Sequence, residues 1–143
     1  MSRQIGELGE ELVARWLRQT GWEILHRQYR CRWGEIDLIA DRAPTLIFVE
    51  VKTRSRGNWD EDGALAITPA KQGKLIQTAE HFLSDRPDLS TRPCRFDVAL
   101  VRCDRPTKKD RVSTPSPAIE PGLPIPIEGY HLTLQNYLES AFC

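Results

Sequence analysis

No apolar run in this chain is long enough to span a bilayer. Met1–Glu7 lacks the hydrophobic core of a signal peptide, so a cytoplasmic protein without membrane attachment is expected. Cysteine is sparse. Cys31, Cys94, Cys103 and Cys143 have no Cys-x-x-Cys spacing and no histidine partners nearby, which predicts reduced, partly buried thiols rather than zinc ligands or disulfides. Net charge is missing too. Lys plus Arg and Asp plus Glu both total 20, so any contact with nucleic acid must come from local patches. Internal repeats, a glycine-rich phosphate loop and Ser/His/Asp or Cys/His arrangements are absent, and His131 stands alone, read as packing or surface. The 143 residues are enough to bury a core without staples, so one domain over 1–143 is expected.

What is present centres on two short segments. Gly34–Ala40 and Leu46–Lys52 are rich in β-branched and long apolar residues and read as strands, with Asp41-Arg42-Ala43-Pro44 between them as a turn. Alternate residues of a strand share a face, so Leu46, Phe48, Glu50 and Lys52 lie together while Ile47, Val49 and Val51 line the other side. A strand apolar on both faces is a buried central strand, where an unpaired charge is costly. This one nevertheless ends in a carboxylate and a lysine. In an antiparallel hairpin with a two- or four-residue loop, Asp37 shares the face of Glu50 and Lys52, directly across from Glu50 or one diagonal away. Two carboxylates and an ammonium on one wall suit a hard divalent cation, Mg²⁺ or Mn²⁺, with the lysine orienting or helping to deprotonate a water.

Asp37 followed by Glu50-Val51-Lys52 resembles the Asp…(Asp/Glu)-x-Lys signature of the PD-(D/E)XK nuclease superfamily. More narrowly, Gly9-Glu10, Gly34–Ala40 and Phe48–Arg54 resemble the YraN-like family of small bacterial proteins, over about Ile5 to Val101 with a weaker echo at Ser140-Ala141-Phe142. That family is related to archaeal Holliday-junction resolvases. The resemblance implies an α/β fold with a restriction-endonuclease-like core, a mixed and mainly antiparallel sheet flanked by helices. It also implies metal-dependent hydrolysis of DNA phosphodiesters, branched DNA included. Asp37 and Glu50 then hold the metal, with the Val51 carbonyl and Glu10 as further ligands, and a homodimer is left open.

Ile5, Leu8, Leu12, Val13, Trp16 and Leu17 recur at helical spacing, which predicts a helix over about Ile5–Thr20 that stops at Gly21. Glu7 and Glu11 fall on its opposite face. Glu10 falls at the margin of the stripe, either solvated or looking along the sheet toward the metal. Trp22–Tyr29 reads as an edge strand. Arg27, Arg30 and Arg32, interleaved with Tyr29 and Trp33, either grip a phosphate backbone and stack on bases or solvate that edge. Beyond Lys52 a polar loop, Thr53–Ile67, adds Arg54 and Arg56 as candidates for phosphate contact, beside an acidic run at Asp60-Glu61-Asp62 read as solvated.

Thr68-Pro69 opens a second helix with Leu75, Ile76, Ala79, Phe82 and Leu83 as its buried stripe. Gln72 projects from that stripe and needs partners. It either caps a neighbouring strand or, as the family's Lys71-Gln72 pair implies, contacts the Glu50–Lys52 end, with Lys71 directed to nucleic acid. Cys94–Arg102 reads as a strand carrying a structural Asp97 paired to an arginine. Six of the ten prolines fall between Asp104 and Pro126, so that segment is expected as a flexible loop, followed by a last strand over Ile127–Leu134. Two readings stay open beside the nuclease. One is a nuclease-like module that binds nucleic acid or a protein without cleaving. The other is a structural salt-bridge cluster in which Glu35 pairs Lys52 and Asp37 pairs an arginine.

Overall fold

In chain order the computed structural model has helix α1 (Ser2–Gln19), strands β1 (Glu23–Cys31), β2 (Gly34–Arg42) and β3 (Thr45–Arg54), helix α2 (Pro69–Ser84), and strands β4 (Cys94–Asp104), β5 (Ile125–Ile127) and β6 (Tyr130–Phe142). It describes residues 2–55, 67–105 and 118–142. The strands form one sheet in the order β1-β2-β3-β4-β6-β5. Among the described strands only β3 and β4 run parallel, and α2 lies in the crossover between them, as a parallel pair requires. The fold is therefore α/β with a mixed, mainly antiparallel sheet and two helices, consistent with the restriction-endonuclease-like core that the motifs imply.

Strand alternation divides the core into two layers. On one face Leu38, Ala40, Ile47, Val49, Ala99 and Val101 pack with Leu8, Leu12, Val13 and Leu17 of α1. On the other, Ile39, Leu46, Phe48, Val98 and Leu100 pack with Leu75, Ala79 and Phe82 of α2. β3 is buried on both sides, as its unbroken apolar run predicts. Helix α1 approaches this strand so closely that a Cβ on Gly9 would lie 2.0 Å from Thr53 Oγ1. Helix α2 begins as expected, with the Thr68 side chain accepting from the Lys71 N–H and proline in the first turn. Its stripe is Leu75, Thr78, Ala79 and Phe82. Thr78 joins it because its hydroxyl donates back to the Lys74 carbonyl, which removes the cost of burying it. Among the described residues, no helix is long and apolar enough to cross a membrane.

Three differences from the expected strand boundaries bear on how the sheet is built. Asp41 and Arg42 belong to β2 rather than to the turn, which is Ala43-Pro44 alone. Asp41 pairs with Arg92, while Arg42 donates to the Thr20 carbonyl and lies over the Trp22 ring. Of the proline-rich segment expected as a loop, residues 106–117 lie outside the described residues, and Ile125–Ile127 forms an edge strand, where Pro126 needs no ladder partner on its open side. The single last strand expected over Ile127–Leu134 is instead a hairpin. Glu128 and Gly129, at φ 46° and 83°, make the two-residue turn between β5 and β6.

Candidate carboxylate–lysine site

Strands β2 and β3 pair from Arg42↔Thr45 to Leu38↔Val49 and then part. One further step of that register sets Asp37 opposite Glu50, the two-residue-loop case. Where the backbone ladder stops, the Asp37 side chain takes over, and its Oδ2 accepts the Val51 N–H at 2.8 Å. In an extended strand a residue's N–H and C=O point the same way, so the Val51 carbonyl also faces the side from which β2 has withdrawn. Glu50 and Lys52 share the face of Leu46 and Phe48, toward α2. From that helix Lys71 brings Nζ to 3.5 Å from Glu50 Oε1.

The charges here are not balanced as in an ordinary ion pair. Burial, and then the neighbouring Glu50, push the Asp37 carboxyl up to about 8, against the help of the Val51 N–H. Glu10 and Glu35 add to that repulsion. Lys52 is held below the usual lysine value, first by burial and then by the ammonium of Lys71. Glu10 is raised by burial, an effect opposed by the Gln28 amide and by Arg27. It is not a solvated helix residue: only 7% of it is exposed, and both its oxygens accept from Gln28 Nε2, at 3.3 and 3.2 Å.

Asp37, Glu50 and Lys52 therefore come together, with Lys71 beside them and Glu10 approaching from the α1 side. Gln72 does something more local, donating to the Ile67 carbonyl at the entry to its helix. Of the candidate phosphate contacts, Arg27 pairs with Glu11 at 2.9 Å and Arg30 with Glu35. Arg32 lies over the Trp33 ring at 4.6 Å, Arg54 is exposed, and Arg56 lies outside the described residues. The salt-bridge cluster drawn from the sequence has other partners here, since Glu35 goes to Arg30 and Asp37 to a backbone N–H. Asp97 is paired to an arginine as expected.

Among the described residues, no three His, Cys, Asp or Glu side chains are grouped to hold a metal ion. Glu10 is accordingly a neighbour of the Asp37–Glu50 pair, not a third arm of a preformed cage. Two carboxylates and a carbonyl still make an all-oxygen donor set. Such a set fits Mg²⁺, which takes one or two carboxylates and fills its remaining positions with water and substrate phosphate. From the sequence Gln28 receives no role, because nothing in strand alternation signals that it turns toward α1.

A family model described as "Uncharacterised protein family UPF0102" matches residues 9–101. The chain is 49% identical over 157 residues to a UPF0102 protein of Trichodesmium erythraeum, covering 96% of this chain and 87% of that one. It is 47% identical to a UPF0102 protein of Acaryochloris marina, covering 97% and 90%. With a UPF0102 protein of Synechocystis the identity is 46%, covering 96% and 97%.

Proposed function

The chain belongs to the UPF0102 family, and we propose that it is a metal-dependent endonuclease hydrolysing DNA phosphodiester bonds, branched DNA among them. The observation that carries this reading is the convergence of Asp37, Glu50 and Lys52 at the parted end of the β2–β3 hairpin. Asp37, Glu50 and the Val51 carbonyl would hold Mg²⁺ or Mn²⁺. When bound, the cation supplies Lewis-acid polarisation of the phosphate and a more acidic water. The chain's own residues do the rest. Lys52, with its proton loosened by burial and by Lys71, orients the attacking water through Nζ and can take up its proton. Lys71, with 43% of its side chain exposed, offers its ammonium to a phosphate oxygen. Arg32, Arg54 and Arg56 are further candidates for contacts along the backbone, and Arg27 and Arg30 would exchange Glu11 and Glu35 for phosphate.

The test is cleavage of labelled duplex, single-stranded and branched DNA with Mg²⁺, Mn²⁺ or chelator. Wild type should cut one or more of them only with metal. Lys52→Ala should stop cutting while keeping most of the DNA affinity, because a single lysine is a small part of the phosphate contact. A second reading, a nuclease-like module that binds without cleaving, draws on the Lys71–Glu50 contact, in which an ammonium already answers the carboxylate. Binding without cleavage of any substrate under every metal would favour that module. Neither binding nor cleavage would favour a protein partner.

A further inference from the structure

We infer that Gln28 is a positioning residue of this site, its left-handed backbone turning the carboxamide onto both oxygens of Glu10 and holding that carboxylate beside Asp37. The inference rests on the proposed nuclease reading and deepens it. Gln28 has φ 51° inside β1, a conformation unfavourable for glutamine, which glycine and asparagine adopt more readily, and uncommon in a strand. It lies between the pairs Arg27↔Leu38 and Tyr29↔Ile36, and therefore at the register position of Asp37.

The kink has a specific consequence. An unbroken strand sends consecutive side chains to opposite faces. Here Arg27 and Gln28 both reach α1, Arg27 to Glu11 and Gln28 to Glu10, and only Tyr29 crosses to pack on Phe82 of α2. Without the kink Gln28 would point to the α2 face, away from Glu10. Its amide also suits the task chemically. A glutamine donates to a carboxylate without cancelling its charge, so the negative charge stays available to a cation, which an arginine there would neutralise. The groove in front of the pair, about 270 Å³ and lined by Glu7, Glu10, Arg27 and Gln28, leaves the carboxylate approachable from outside. A strand kinked merely to blunt a sheet edge would need none of this alignment.

The experiment is calorimetric titration of Mn²⁺ into the full chain, with thermal unfolding in chelator measured alongside. Glycine adopts φ 51° freely, so Gln28→Gly should unfold in chelator close to the wild-type temperature yet bind Mn²⁺ at least about threefold more weakly, because a carboxylate held beside the pair adds to the negative field a cation meets. Gln28→Asn, which keeps an amide and tolerates the backbone, should regain part of that affinity. Added to Glu10→Gln, Gln28→Gly should cause no further loss, because the partner it orients is already gone. Mn²⁺ affinity of Gln28→Gly within twofold of wild type would overturn the inference. So would unfolding far below wild type in chelator, which would make the role structural. If the wild type itself binds no Mn²⁺, the nuclease reading falls and this inference with it, an outcome the wild-type titration alone identifies.

Discussion

Replacing Asp97 by alanine should cost the fold about 3 kcal/mol, the lower end of the range for breaking a buried ion pair. The Asp97 side chain is fully buried in the middle of β4 and accepts four hydrogen bonds. Arg95 Nε and Nη2 donate at 2.9 Å each, Tyr137 Oη at 2.6 Å and the Ser140 N–H at 3.0 Å. The last two come from β6, where the register shifts between Phe96↔Phe142 and Val98↔Leu138 and Ser140 has φ 49°. The carboxylate thus supplies the ladder partner that the bulge removes. Without it, Arg95 keeps an alternative in Glu139 at 3.7 Å, which limits the damage. The Tyr137 hydroxyl and Ser140 N–H lose an acceptor in a half-buried place, where an unsatisfied group costs about 1 kcal/mol, the low end of the range for buried ones. Urea unfolding of Asp97→Ala, Tyr137→Phe and the double variant measures this. Tyr137→Phe should cost about 1.5 kcal/mol, as for a bond to a charged group. The double variant should fall short of the sum by about 1 kcal/mol or more, because the two share one bond. A loss below 1 kcal/mol for Asp97→Ala, or strict additivity, would refute the argument.

Two further outcomes follow from the same geometry. Gly9→Ala should destabilise the protein, since overpacking against Thr53 costs about 1–3 kcal/mol and outweighs the helix propensity gained, about 1 kcal/mol. Adding Thr53→Ala should recover most of the loss, because Thr53 Oγ1 is buried without a hydrogen-bond partner; urea midpoints of the three variants decide it. The second outcome concerns pH. The folded-state value of Asp37 is raised to about 8, so its protonated form favours the fold and the contribution is lost as pH rises toward that value. In chelator the melting temperature should therefore decline between about pH 4 and pH 8, and Asp37→Asn should flatten that decline and melt higher at pH 8. A melting temperature of Asp37→Asn in chelator that tracks wild type across this range would contradict it.

The hairpin was readable because two independent constraints agreed on it. Period-two alternation assigns Leu46, Phe48, Glu50 and Lys52 to one face, and an even loop length, two or four residues, sets Asp37 on that same face. The Thr68-Pro69 start of α2 was equally local, being cap chemistry carried by two adjacent residues. What escaped the sequence depends on contacts between distant segments. Glu10 is buried because Gly9 lets α1 settle onto Thr53, and neither the closeness nor its effect on Glu10 has a local signature. Gln28 looks like any polar residue of an edge strand until its φ is known. Asp41 and Arg42 read as turn residues from their charge, yet Arg92 and the Trp22 ring keep them in the strand. Pro126 argued for a loop, and the outermost strand is the one place where that argument does not hold.

The measurement that bears most directly on the central claim is thermal unfolding of wild type and Glu50→Gln with Mg²⁺ or Mn²⁺ against chelator. A cation held by Asp37 and Glu50 binds only the folded chain, so at a hundred times its dissociation constant it should stabilise wild type by about 2.7 kcal/mol. Glu50→Gln should lose most of that gain while folding at least as well in chelator, since the mutual repulsion with Asp37 is relieved. A wild-type melting temperature unchanged at millimolar metal, or a shift that Glu50→Gln retains in full, would contradict the assignment of this hairpin as a divalent-cation site.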